Sequence, residues 1–347
     1  MRDGGFDPGN LATVLKLTVL NRRVLPVLVA GLFAFTACSS GPSSTASPSA
    51  SPSAPASASP SASPSPSVAP QTSLDSVKVA SKGSAEPTLS FAKPFVIDKT
   101  RTKVLKAGNG ITLSENSIAT INYVGVDGRD AKVFDSSWKR KAAATFPLSG
   151  VIPGFKTGLS GQKVGSRVLI GIPGSEAYDS QGGQSAAGIQ VGDTLLFVVD
   201  ILDASRTEPS GKTVPSPVGL PTVTGNAASK PVVTIPSSPA PSTMAAVALI
   251  QGTGAKVAKG DTIYVRYVGY SWKTGKLIDD QFANPSEGLL SSTIPGWQSG
   301  LTGKQIGSRV LLVLPPKDGY PQGSNNPPLA AGDTIVYVVD LLYAYKA

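Results

Sequence analysis

The chain of 347 residues contains no histidine, one cysteine and two methionines, and only 6% of it is Phe, Trp or Tyr. Without histidine, Ser-His-Asp catalysis and His-ligated metal sites are excluded. A lone thiol can neither close an intrachain disulfide nor build a Cys-based zinc site. So few methionines rule out the flexible Met-rich surface of a promiscuous binder. The net charge of +9 is modest over a chain of this size, and its scatter argues against nucleic acid as a partner. No cofactor or metal is expected. The longest apolar run near the N-terminus, Val24 to Ala37, is too short for a stable membrane span and suits a signal-peptide core.

That run stands after Arg22 and Arg23 and ends in "FTAC", with small Ala37 before Cys38. The segment resembles the lipobox of bacterial lipoprotein signal peptides. The resemblance implies that residues 1–38 direct export and that Cys38 carries the lipid, so that the protein is anchored to the outer face of the cell membrane. Residues 39–73 are almost wholly Ser, Pro and Ala. They offer nothing to bury and are read as a disordered, fairly extended spacer.

The rest of the chain repeats itself. "VIPGFKTGLSGQKVGSRVLIGIP" (151–173) returns as "TIPGWQSGLTGKQIGSRVLLVLP" (293–315), "INYVGV" (121–126) as "VRYVGY" (265–270), and "GDTLLFVVDIL" (192–202) as "GDTIVYVVDLL" (332–342). The order is kept and the gaps are small. Two units, 74–206 and 220–347, joined by a linker at 207–219, therefore account for everything after the spacer. At roughly 130 residues each can bury its own core, unlike a solenoid repeat. Each opens on a Leu-led segment, at Leu74 and Leu220, well before its first matched strand.

Runs such as "SIATINYVGV", "RVLIGIP" and "TLLFVVDIL" are β-branched and aromatic, of strand length, and bounded by Gly, Pro, Asp and Asn. "PGFKTGLSG" and "PGWQSGLTG" differ: Phe155 and Leu159, like Trp297 and Leu301, stand four apart, the spacing of helical turns. One short helix among antiparallel strands makes each unit α+β, with the helix covering a curved sheet.

"NYVG", "VFDSS", "FPL", "VIPGF", "GLSGQKVGSRVLIGIP", "AYD" and "TLLFVVDIL" stand in that order and spacing. Together they resemble FKBP-type peptidyl-prolyl cis-trans isomerases, over about 121–202 and, less closely, 265–342. The resemblance implies a half-wrapped sheet around the helix, with a shallow apolar recess between them for a proline ring. It places Tyr123, Phe134, Val151, Ile152, Phe155, Tyr178 and Phe197 around that recess, with Phe155 where the family usually has Trp. Asp135 becomes the buried carboxylate, and the Ile152 amide and Tyr178 hydroxyl become donors to the ligand. It also implies proline-containing polypeptides as substrates, here exported ones, and a macrolide as inhibitor. A family wall aromatic is replaced by Ala144, and "AYG" by "AYD".

The second unit keeps Tyr267, Asp279, Ile294, Trp297 and Tyr320, but has Ile278 before the acid, Tyr337 in the last strand and "GLL" for "FPL". This thinner aromatic set implies a shallower contact. Taken singly, an aromatic such as Phe197 alternating along a strand is more often core than ligand wall. Adjacent Asp279 and Asp280 face opposite sides of a strand and make no catalytic pair. "KRK" at 139–141 reads as a solvated loop. Two functions stay open: a membrane-tethered prolyl isomerase, and a non-catalytic lipoprotein that grips peptides or wall material in the same pockets.

Overall fold

The computed structural model describes residues 68–346; Cys38, the signal segment and most of the Ser/Pro/Ala stretch lie outside the described residues. The first unit opens with a hairpin of β1 (Lys78–Ala80) and β2 (Thr88–Ser90). Its sheet comprises β3 (Arg101–Lys106), β4 (Ile118–Asp127), β5 (Val133–Ser136), β6 (Ala144–Pro147), β7 (Arg167–Ile172) and β8 (Leu195–Ala204). The strand order is β3-β7-β8-β4-β5, with β6 also pairing β4, and all pairs are antiparallel. Two helices interrupt it, α1 (Ser137–Arg140) and α2 (Pro153–Leu159).

The second unit repeats this plan with β9 (Lys212–Thr213), β10 (Thr222–Thr224), β11 (Val232–Thr234), β12 (Ala245–Gln251), β13 (Asp261–Ser271), β14 (Leu277–Asp280) and β15 (Ser286–Leu289). After these come α3 (Pro295–Leu301), β16 (Arg309–Leu314), the short ladder β17 (Ser324–Asn325) with β18 (Pro328–Leu329), and β19 (Ile335–Lys346). Its main sheet runs β14-β13-β19-β16-β12-β9, with β15 beside β13. The stretch read as a linker thus contributes β9, which extends this sheet by pairing with β12. A backbone bond from Arg206 to Leu342 and a Thr120 to Tyr343 hydroxyl contact of 2.8 Å join the two units directly, and Ser210 of the connecting stretch bonds to Gly307.

Strand period explains the apolar runs. In β8, Leu195, Phe197, Val199 and Ile201 belong to the core under α2, whereas Leu196 and Val198 belong to a second core with Leu74, Val77, Phe95 and Ile97. In β19, Ile335, Tyr337, Val339 and Leu341 face the helix side, and Val336 and Val338 pack with Leu220, Val223, Val233 and Ile235. The Leu-led segments are therefore straps that cover the outer face of each sheet. Both faces are buried, so the strands read as continuous hydrophobic runs although they are antiparallel.

The helices α2 and α3 start on Pro, whose fixed φ suits a first helical position. Gly154 and Gly158 lie so close to Ile172 and Ile170 that a Cβ at either would overlap them. Gly296 and Gly300 meet Leu314 and Leu312 in the same way. Close approach of helix to strand is the reason for the repeated Pro-Gly-x-x-x-Gly pattern.

Candidate functional site

The first unit gathers side chains from four strands, α2 and the segment after β7. Phe155 of α2 stands against Phe197 of β8, ring centroids 4.9 Å apart and 72° inclined. Phe134 of β5 meets Phe197 at 5.5 Å and 85°, and Tyr123 of β4 lies 6.4 Å from it. Phe146 closes the other side of Phe155 at 6.0 Å. Tyr123, Phe155 and Phe197 are 0% exposed, and Ile152 and Tyr178 are 1%; Phe134 and Val151 are half-buried. Ala144 is buried in the same core, which Ile189 joins and Ala187 packs against.

Asp135 is held at the edge of this cluster. The Tyr123 hydroxyl donates to its Oδ2 at 2.6 Å. Arg140 ion-pairs with its other oxygen, donates to the Tyr123 hydroxyl at 2.8 Å and sets its guanidinium 5.4 Å from the Tyr123 ring centroid. Arg140 is the middle residue of the "KRK" triplet expected to be a solvated loop. α1, whose N-terminus is capped by the Ser136 hydroxyl, turns it back over the site. No local signal in the sequence distinguishes it from its lysine neighbours, and only five-residue spacing from Asp135 with one helical turn between brings it home. Burial, then the charge of Asp135, raises the Tyr178 hydroxyl well above the ordinary phenol range. Burial does the same to Tyr123. The Tyr178 hydroxyl is buried without a hydrogen-bond partner.

In the second unit Tyr267, Trp297 and Tyr337 stand nearly perpendicular to one another: 5.0 Å and 86°, 5.7 Å and 78°, 5.2 Å and 87°. They line an open cavity of about 350 Å³ together with Asp279, Ile294, Tyr320 and Glu287. Tyr267, Asp279, Ile294 and Tyr320 are half-buried, and the buried Nε1 of Trp297 has no partner. Ile278 packs against the core but does not line the cavity. Thinning the aromatic set opens the recess rather than flattening it, because Gly288 occupies the β15 position where Phe146 fills the first unit. Asp279 receives hydrogen bonds from the Tyr267 and Tyr337 hydroxyls, yet burial raises its carboxyl above the usual range. Asp280 points outward to Lys230, as alternation along a strand requires.

Neither recess presents an activated nucleophile, and among the described residues no group of three or more His, Cys, Asp or Glu side chains could hold a metal. In the first unit aromatic walls, one carboxylate and a spare hydroxyl form a closed apolar cluster, and in the second the corresponding residues line an open cavity. The model for FKBP-type peptidyl-prolyl cis-trans isomerases matches residues 110–202 and again 253–342. These matches cover more than half of the chain, which therefore belongs to that family of enzymes and carries its domain in tandem.

The "Probable FK506-binding protein" of Corynebacterium glutamicum is 36% identical over 118 residues, 33% of this chain and 98% of that protein. "Peptidyl-prolyl cis-trans isomerase Mip" of Coxiella burnetii is 36% identical over 132 residues, 37% of this chain but 55% of that one. The crystal structure of FkpA from Escherichia coli aligns at 32% identity over 38% of this chain and 52% of that chain, with a TM-score of 0.28. The family assignment rests on the sequence matches.

Proposed function

We propose that the first unit carries the isomerase activity and acts on proline-containing exported polypeptides, at the outer face of a membrane to which lipid on Cys38 tethers the chain. Rotation about an X-Pro bond meets a barrier of roughly 18–20 kcal/mol because twisting breaks amide resonance. No bond is made or broken. A pocket need only strip water from the polar imide and hold the twisted form. The observation that carries this reading is the Tyr178 hydroxyl, a buried donor with no partner beside a wall of aromatic rings. A substrate carbonyl would satisfy it. Because Ile189 and Ala187 pack over the same core, the proline ring enters when the segment after Tyr178 moves aside. The same pocket would take a macrolide inhibitor.

Tyr178→Phe separates this role from folding. The change removes an unsatisfied polar atom, so stability should hold or rise by about 1 kcal/mol. In a protease-coupled isomerisation assay of the full chain, kcat/KM should fall about tenfold, the value of one hydrogen bond made to the transition state. The matching Tyr320→Phe should lower it less than about twofold by the same reckoning. The reverse ranking would place catalysis in the second unit.

The tether rests on "FTAC" at 35–38. Two acyl chains hold a protein on a bilayer where one is marginal. Labelled fatty acid should enter the wild type in cells and not Cys38→Ser, which should appear in the medium. Equal labelling of both would remove the anchor. A second reading, peptide gripping without catalysis, suits the second unit, whose open cavity is lined by Asp279 and three tyrosines.

A further inference from the structure

The two recesses differ most in charge. In the first, Tyr123 and Asp135 enclose a cation supplied by the chain itself: Arg140 pairs with the carboxylate and lies over the tyrosine ring. In the second, Tyr267 and Asp279 stand at the corresponding positions, but the β14–β15 connection, Gln281 to Pro285, contains no helix and no basic residue. Five residues after the acid comes Asn284 instead of arginine. Asn284 lines a different cleft, between the two units.

The second cavity is lined by no lysine or arginine, and Asp279 supplies its carboxylate; Glu287 touches its rim from β15, with its own carboxylate accepting from the Tyr345 hydroxyl. Its rings are Tyr267, Trp297, Tyr320 and Tyr337. Three of them are mutually near-perpendicular at 5.0–5.7 Å, like the walls meeting at the corner of a box. Aromatic faces, tryptophan above all, attract a desolvated cation through the ring quadrupole. The substitutions that removed apolar closure each favour charge: Gly288 opens the entrance, and Tyr337 adds a hydroxyl where the first unit has Phe197.

From this we infer that the second unit's recess is a receptor for a cationic side chain, lysine ammonium or arginine guanidinium, presented by a polypeptide, seated between Asp279 and the Tyr267–Trp297–Tyr337 corner. The guest takes the place that Arg140 takes in the first unit. The inference rests on the second unit being a peptide-gripping pocket and is independent of which unit isomerises. The carboxyl of Asp279, raised by burial with no cation facing it, regains a full partner when the guest arrives. The tandem then combines a recess for proline with one for a basic residue on the same client.

The test uses the full chain and two acetylated peptide amides, identical except that one carries arginine and the other its neutral isostere citrulline beside proline. Calorimetric titration should show the arginine peptide binding about tenfold tighter, as one paired cation–π contact provides. Asp279→Asn should abolish that preference, whereas Glu287→Gln, on an exposed position of β15 whose carboxylate is held by the Tyr345 hydroxyl, should leave it nearly unaltered. The citrulline peptide should bind all three proteins alike. Equal binding of the two peptides by the wild type, or a preference that survives Asp279→Asn, overturns the inference. Isomerase activity of the same samples is read separately: an active enzyme without the charge preference sinks this inference and leaves the catalytic reading standing. A charge preference in an inactive protein does the opposite.

Discussion

Asp340→Ala should unfold the second unit well before the first. Asp340 lies in the middle of β19, opposite Arg266 of β13 and Arg309 of β16. Arg309 binds it through two nitrogens at 2.6 and 2.9 Å, and Arg266 through one at 2.8 Å. Side-chain exposure is 2% for Asp340, 3% for Arg309 and 10% for Arg266. Two guanidinium groups share one carboxylate, and the surplus charge is met by strap carbonyls of Asn226, Ala227 and Ser229. Removing the shared carboxylate leaves two buried cations unpaired, a loss of about 3–5 kcal/mol by analogy with broken buried pairs. That is a large share of the roughly 5–15 kcal/mol that holds a domain together. The strap would detach with it. In the first unit Arg167 alone pairs with Asp200, and both are more exposed, so Asp200→Ala should be the milder change. Urea unfolding monitored by fluorescence resolves the two, since Trp272 and Trp297 report on the second unit and Trp138 on the first. A loss below about 1 kcal/mol for Asp340→Ala, the size of a surface pair, would show that the strap carbonyls and water suffice.

Phe197→Ala should abolish isomerisation chiefly by emptying the core. Phe197 is 0% exposed and touches Phe134, Phe155 and Tyr123. Truncating a buried phenylalanine costs about 3–5 kcal/mol, transfer and cavity together. Loss of activity in that variant therefore says little about catalysis. Phe197→Leu keeps most of the volume and should cost about 1–1.5 kcal/mol. If the ring itself shapes the recess, kcat/KM should still fall in a protein that unfolds cooperatively. Unchanged kcat/KM in Phe197→Leu would make the residue a packing element only. The second unit offers the control: Tyr337→Phe restores the first unit's residue and removes the 3.5 Å contact with Asp279, so it should leave stability nearly unaltered.

Much of the architecture was legible because the chain states it twice. Duplicated runs mark the strands, and Phe155 with Leu159, or Trp297 with Leu301, mark the helix at its true place. The aromatic residues named from the family pattern do converge in each unit. Asp135 is buried beside Tyr123, and Asp279 is half-buried beside Tyr267. Arg140 was not legible, because a basic triplet in a turn has the composition of solvent-exposed chain, and only α1 bends its middle member onto Asp135. Glu287 escaped for the complementary reason. It is an exposed strand residue at the cavity rim whose carboxylate is met by the Tyr345 hydroxyl, a partner 58 positions along the chain.

By itself the sequence determined the two-unit plan, the strand and helix periods, and the exclusion of His-based sites, intrachain disulfides and Cys-cluster metal sites, since these depend on residue type and local spacing. Tertiary structure alone decided which carboxylate meets a cation and which faces an empty recess. It also decided that the Leu-led segments are straps, held in the second unit by Arg266 and Arg309, and that the stretch at 207–219 becomes a sheet edge. Each of these depends on groups separated along the chain coming within a few ångströms of one another. Burial and pairing are properties of that shared environment, so no window of neighbouring residues contains them.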